Sequence, residues 1–147
     1  MTASRFPRLR SERGAELVEF VFILPVLLLV VAGIIDFGFL FQRYESLTNA
    51  AREGARVGIL PGYQEADVIG RVNAFVAAAG LPVLATPPVV TYPIVDPGGG
   101  RPTYQTVNVE VQQDYTFFIL GPIAPLVGGS FGTITLTARS AMRVEGG

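Results

Sequence analysis

The feature of this sequence that most restricts its fold is an apolar run that begins directly after a charged N-terminal segment. Phe20 to Ile35 contains no charged residue, whereas four arginines and three glutamates precede it. The wider stretch from Leu17 to Phe41 is about 25 residues long, and as a helix it exceeds a hydrocarbon core of roughly 30 Å. Glu19 lies at the edge of this stretch, where a carboxylate is costly in a bilayer and usually marks a functional position.

The arginines predict how such a chain is oriented. Four of them precede the apolar run and only Arg43 closely follows it, so the positive-inside rule places the N-terminus in the cytoplasm. The stretch is too long for a secretory signal, and no small-residue cleavage site closes it. We therefore expect residues 1–14 to form a cytoplasmic leader, residues 15–41 a single-pass helix in the cytoplasmic membrane, and residues 42–147 an extracytoplasmic domain.

Composition argues against several functional classes. The net charge of −1 gives no electrostatic footprint for nucleic acid. The absence of cysteine and histidine removes thiolate ligands, the commonest metal ligand and the commonest general base. Neither a nucleophile elbow nor a phosphate-binding loop is present. We therefore expect that the protein is not an enzyme and that it binds no cofactor, metal or small-molecule substrate. A hydrolase would need Asp96, Glu110 and Asp114 to converge in a pocket.

Periodicity predicts an α+β fold, with the long N-terminal helix continuing as a stalk and packing on a small antiparallel sheet. One face of the stalk is a stripe of residues whose side chains become smaller along the helix: Leu40, Tyr44, Leu47, Ala51, Gly54, Ala55 and Gly58. Pro61-Gly62 should end it, and a second helix is expected over Glu65–Ala79, closed by Gly80.

The second half of the chain changes to a period of two. Val107 to Ile119 and Thr133 to Val144 alternate apolar and polar residues, which predicts two half-buried antiparallel strands. A third strand, Val89 to Val95, contains Pro93 and belongs at a sheet edge. The connection from Gly121 to Gly132 is apolar and uncharged, so it either contacts a partner or membrane or folds back over the core.

Several segments together resemble a known family. Gly14 and Ala15, followed by Glu19 and Phe20, resemble a type IV prepilin cleavage site. The TadE-like pseudopilins of tight-adherence (Flp) pilus systems are similar over three further segments: Gly33–Gly38, Leu47–Arg56 and the closing Met142–Glu145.

The resemblance implies a minor pseudopilin, a structural component of type IV pilus assembly and adhesion. Its implied partners are a prepilin peptidase, other pilins and pseudopilins, and the pilus assembly platform. The peptidase would cut after Gly14 and free the amine of Ala15, and Glu19 would pair with the amine of a neighbouring subunit. The domain would lie at the pilus tip or in an initiation complex. Without the resemblance, Glu19 is a residue that snorkels to the membrane surface.

Five further residues are candidates for contacts between helices or subunits, and each also has an ordinary structural explanation. Pro25 either kinks the membrane helix for function or is simply tolerated there. Asp36 either caps a contact between anchors or is solvated. Arg52, Glu53 and Arg56 either pack against another pseudopilin or lie on a solvated helix face with weak charge pairs.

A different class of function fits the same anchor. An uncleaved single-pass protein, whose outer domain binds a ligand or a cell-wall component, would keep its leader and would not depend on other pilus proteins.

Overall fold

The fold is built on one very long helix. The computed structural model describes residues 11–144, excluding the side chains of residues 11–13, 126 and 127, so most of the predicted leader lies outside the described residues. Helix α1 runs from Ser11 to Gly58, 48 residues, and is continuous through Pro25. It passes the expected end of the membrane segment at residue 41 without interruption, which confirms the predicted stalk.

Helix α2, Glu65–Ala78, forms where its apolar face and its end signals predict it. The backbone N–H of Gln64 donates to the carboxylate of Asp67 at 2.8 Å, which occupies a free donor at the helix start. Gly80 ends the helix with φ +69°, a conformation that glycine adopts without a Cβ penalty.

The sheet is antiparallel and centred on strand β3. Strands β1, Val89–Thr91, and β2, Ile94–Val95, both pair with one side of β3, Tyr104–Tyr115. The predicted edge strand is therefore divided at Pro93, which has no N–H to donate. Its register is unchanged across the break, because Thr91 pairs with Asn108 and Ile94 with Gln105.

Strand β4, Ile134–Arg143, pairs with the other side of β3 along ten residues. The connection between them contains helix α3, Leu120–Ile123, and a single 3-10 turn, Ala124–Val127. The apolar connection is thus partly folded over the core, where Leu120 and Ala124 are buried.

The core lies between the sheet, the second half of α1, and α2. Alternate residues of β3 point into it, as the period of two predicts, and the largest fully buried side chains are Leu47, Val68, Val72, Val107, Val109, Val111 and Asp36. The predicted α+β architecture, a long helix packed on a small antiparallel sheet, is confirmed.

Some residues do not lie on the face of the helix or strand on which the sequence pattern places them. Tyr44, expected on the packed stripe, is 43% exposed, and Ile134, expected to point inward, is exposed at the end of β4. Strand pairing ends at Tyr115 rather than Ile119. Gln113 takes an inward position, where its side-chain amide donates to the carbonyl of Pro82 at 2.8 Å.

Candidate functional site

The first half of α1 projects from the domain. From Gly14 to Val31 every side chain is exposed except Leu24, which is half-buried, although nearly all of these residues are apolar after Glu19. An aqueous environment would oppose this exposure, because apolar surface is driven out of water. One N-terminal apolar helix of this length and composition fits a single-pass membrane anchor.

The predicted processing residues lie at the start of this projecting helix. Gly14, Ala15 and Glu19 all belong to α1 and are exposed. A Cβ added at Gly14 would meet nothing within 4 Å. Ala15 and Glu19 are four residues apart, so they lie on one face of the helix, one turn from each other.

Asp36 marks the point where the domain meets the exposed helix. Its carboxylate accepts hydrogen bonds from the backbone N–H groups of Phe118 (3.2 Å), Ile119 (3.0 Å) and Leu120 (2.7 Å). It is fully buried, so the alternative that Asp36 is solvated is wrong. The carboxylate caps the start of α3 and satisfies donors that this turn would otherwise leave free.

A further hydrogen bond and a cluster of aromatic rings lie beside Asp36. The hydroxyl of Tyr115 donates to the backbone carbonyl of Asp36 at 3.0 Å. The ring of Phe117 packs edge-on against Phe37 at 5.9 Å and against Tyr115 at 5.5 Å, and contacts Phe131 at 5.4 Å. Burial, with a smaller effect from Asp36, raises the pKa of Tyr115, so the hydroxyl remains a donor at neutral pH.

Small residues let the stalk approach the sheet and α2. Ala50, Ala51 and Ala55 are fully buried. A Cβ added at Gly54 would lie 2.5 Å from Val72 Cγ2, and one at Gly58 would lie 2.7 Å from Val107 Cγ1. The predicted small-residue stripe is therefore a packing surface within the chain.

Glu53 joins the two helices. Its Oε1 accepts from Nη2 of Arg71, in α2, at 2.6 Å and from Nε at 3.1 Å. The hydrogen bond from Arg71 lowers the pKa of Glu53 despite a partial desolvation cost. Arg56 lies 3.9 Å from the same carboxylate, and both Arg52 and Arg56 are exposed. Glu53 is thus engaged within the chain, whereas the two arginines face outward.

Most of the α1 residues described above lie within one segment that resembles known proteins. The family model for TadE-like protein matches residues 14–56. The chain carries a TadE-like segment. No curated protein and no solved structure matches the chain. The TadE-like segment begins at the predicted cut site, includes the projecting half of α1 and ends within the small-residue stripe. It points to a membrane protein related to Tad pilus systems.

The carboxylates that a hydrolase would need are separately engaged. Asp96 accepts from the backbone N–H of Gly98 at 2.8 Å, Asp114 accepts from the hydroxyl of Thr135 at 2.7 Å, and Glu110 pairs with Arg139 at 2.7 Å. None of the three is buried. Within residues 11–144, no group of three or more acidic residues could hold a metal ion.

Sequence reasoning missed the partners of the buried polar groups. Asp36 was identified as a candidate, but the peptide groups that it caps lie in an apolar segment with no polar side chain to mark them. Arg71 also lies on α2 at a position that the apolar periodicity assigns to solvent. A signal was available for Gln113, since it interrupts the inward series of β3 between Val111 and Tyr115.

Proposed function

We propose that this protein is a minor pseudopilin, a non-enzymatic assembly component of a tight-adherence (Flp-type) type IV pilus. The observation that carries the proposal is the TadE-like match, which starts at Gly14 and covers the exposed half of α1. In an assembly of helices, that exposed apolar surface is available both to lipid and to the helices of neighbouring subunits.

Processing by a prepilin peptidase is the chemical step in this proposal. The peptidase hydrolyses the peptide bond after Gly14, which leaves Ala15 with a free amine and removes the basic leader. The absence of a side chain at Gly14 suits a protease site that must bind the backbone closely.

Glu19 then sets the position of each new subunit. Its carboxylate pairs with the Ala15 amine of a neighbouring subunit at the edge of the membrane. Opposite charges attract strongly at low dielectric, although desolvation offsets much of the gain. The benefit is therefore a defined register between adjacent helices rather than a large net stabilisation.

The same proposal includes a location for each part of the protein. The protein is inserted in the cytoplasmic membrane with the leader in the cytoplasm, as the four N-terminal arginines favour. The α+β domain lies outside the membrane, where it acts at the pilus tip or in an initiation complex. Arg52 and Arg56 face outward and are available to other pilus subunits.

The mass of the mature chain tests the proposal. Membrane-extracted protein from cells with and without an active prepilin peptidase is analysed by intact mass spectrometry. We expect a chain that begins at Ala15 only when the peptidase is present. Gly14→Val should block the cut, and Gly33→Val is the matched control, since a Cβ there also meets nothing within 4 Å. Retention of residues 1–14 in both strains would overturn the proposal and leave an uncleaved, membrane-anchored binding module.

The proposed role of Glu19 in the register between neighbouring subunits is tested separately. Glu19→Gln keeps the size of the side chain and removes its charge, so we expect normal processing but impaired assembly, measured by co-purification with the other pilus proteins. Glu45→Gln, on the exposed surface of the same helix, is the control. Unchanged co-purification of Glu19→Gln would exclude the role in register.

A further inference from the structure

The segment from residue 117 to residue 131, here called the interfacial segment, exposes large aromatic side chains. Phe118 is 77% exposed and Phe131 is 45% exposed. The chain has no charged residue from Tyr115 to Ala138, and apolar residues and glycines make up most of the segment. Contiguous exposed apolar surface of this kind marks a contact with a partner or a membrane.

The position of the interfacial segment along α1 is fixed by contacts. The backbone N–H of Phe118 lies 3.2 Å from Oδ1 of Asp36, and the Phe131 ring joins Phe37 through Phe117. Both exposed rings therefore lie at the level of residues 36 and 37 of the helix.

Residues 36 and 37 lie at the height where α1 would leave the hydrocarbon core of a bilayer. A helix that enters the hydrocarbon core at Leu17 leaves it about 20 residues later, after roughly 30 Å, close to Asp36 and Phe37. Phenylalanine side chains partition favourably into the hydrocarbon just below this boundary. Arg43 lies about 10 Å farther along the helix, at the level of the phosphate groups.

The surface is continuous with the anchor and suited to lipid. Phe37 and Phe39 of α1 are about half exposed beside the interfacial segment. An open cleft of about 480 Å³ beside them is lined by apolar side chains, among them Phe39 and Phe118, and by polar ones, among them Arg43, Gln42 and Thr116. The Arg43 guanidinium lies 5.5 Å from the centre of the Tyr115 ring, which places a cation beyond Phe37 along the helix, on the side where lipid headgroups would lie.

Asp36 satisfies backbone donors at the start of the segment, which favours its placement at that depth. Irregular backbone tolerates a membrane environment only when its polar groups are satisfied by protein. The carboxylate accepts from three consecutive N–H groups, those of residues 118, 119 and 120, and is itself fully buried. A buried carboxylate paired with backbone is the arrangement that ionisable residues adopt near the hydrocarbon core.

We propose that the interfacial segment is a second membrane contact, which seats the domain in the phospholipid bilayer beside its own anchor. Phe118 and Phe131 lie among the upper acyl chains on the domain side of the bilayer, and Arg43 lies with the phosphates. This inference rests on the proposed membrane anchor. The contact fixes the tilt and height of the domain relative to the membrane.

Single-tryptophan fluorescence tests the inference, because the native chain contains no tryptophan. The full chain is reconstituted in phosphatidylcholine–phosphatidylglycerol vesicles that contain lipids brominated at a shallow or a deep acyl position. Phe118→Trp and Phe131→Trp report on the interfacial segment. Leu28→Trp, in the exposed part of α1, reports on the anchor, and Tyr63→Trp, in the turn before α2, reports on the distant part of the domain.

We expect the shallow brominated lipid to quench Phe118→Trp and Phe131→Trp, the deep one to quench Leu28→Trp, and neither to quench Tyr63→Trp. Quenching of Leu28→Trp alone would overturn this inference and leave the anchor intact. Absence of quenching at all four positions would instead overturn the anchor. Blue-shifted emission of Phe118→Trp without quenching by lipid would show that protein covers the segment, which also overturns the inference.

Discussion

The carboxylate of Asp36 accepts a hydrogen bond from the backbone N–H of Leu120 at 2.7 Å, and this bond joins two residues that are 84 positions apart. It connects the end of the exposed helix to the segment between the two long strands. Because the same carboxylate also accepts from residues 118 and 119, three consecutive backbone donors of that segment depend on one side chain.

Asp36→Ala should weaken that attachment. The substitution leaves buried N–H groups without an acceptor, so we expect a loss of about 2–4 kcal/mol in the free energy of unfolding of the domain. Asp36→Asn keeps one acceptor oxygen and should lose less. Urea unfolding in detergent micelles measures both, and hydrogen exchange at the Leu120 amide should accelerate. Glu45→Ala, on the exposed face of the same helix, should change neither.

Tyr115→Phe removes a single hydrogen bond at the same junction. Its hydroxyl donates to the Asp36 carbonyl, so we expect a loss of about 1 kcal/mol with the ring packing retained. The shift of the urea midpoint gives the value. Tyr63→Phe, whose ring is 51% exposed, serves as the control and should unfold like the native chain.

Two glycine substitutions on different helices should have opposite effects. Gly54→Ala places a Cβ 2.5 Å from Val72 Cγ2, and we expect overpacking to cost about 1–3 kcal/mol of stability. Gly70→Ala, in α2, meets nothing within 4 Å and should gain up to about 1 kcal/mol from helix propensity. Thermal unfolding followed by circular dichroism compares them. Equal shifts in both variants would contradict close packing at Gly54.

The ion pair between Glu53 and Arg71 should contribute a modest coupling between α1 and α2. Arg71 is half exposed, so solvent screening limits the pair to roughly 0.5–1 kcal/mol. A double-mutant cycle with Glu53→Gln and Arg71→Ala measures the coupling free energy. A cycle with Arg56→Ala in place of Arg71→Ala should give a smaller value, because that contact is 3.9 Å long and exposed.

Acid should destabilise the domain through two carboxylates. Hydrogen bonds from Arg71 to Glu53, and from Arg139 and Gln112 to Glu110, lower the pKa of each carboxyl group in the folded state. A lowered pKa contributes stability above the unfolded-state value of about 4.3, and this is lost as pH falls through the folded-state pKa. The urea concentration at the unfolding midpoint should therefore decrease as the pH is lowered from about 5 to about 3. The double variant Glu53→Gln, Glu110→Gln should show a weaker dependence over the same range.

Much of the fold follows from local sequence patterns. The stripe ending at Gly58 and the alternation in Val107–Tyr115 each impose a periodicity that only one type of backbone can bury. The apolar run after Glu19 has no such period, but its length and composition predict a membrane helix. The break of the edge strand follows from Pro93 in the same way, since the missing N–H is a property of the residue itself. The candidate processing residues Gly14 and Ala15, and the candidate register residue Glu19, could also be selected from sequence alone.

Only the tertiary structure decided which polar groups meet. Asp36 caps peptide groups 82 to 84 residues away, and Glu53 lies closer to Arg71, at 2.6 Å, than to Arg56 of its own helix, at 3.9 Å. Backbone donors carry no side-chain signature in the sequence, and an ion pair between two helices depends on how the helices cross. Periodicity determines the face on which a residue lies, whereas its partner is determined by how the elements pack.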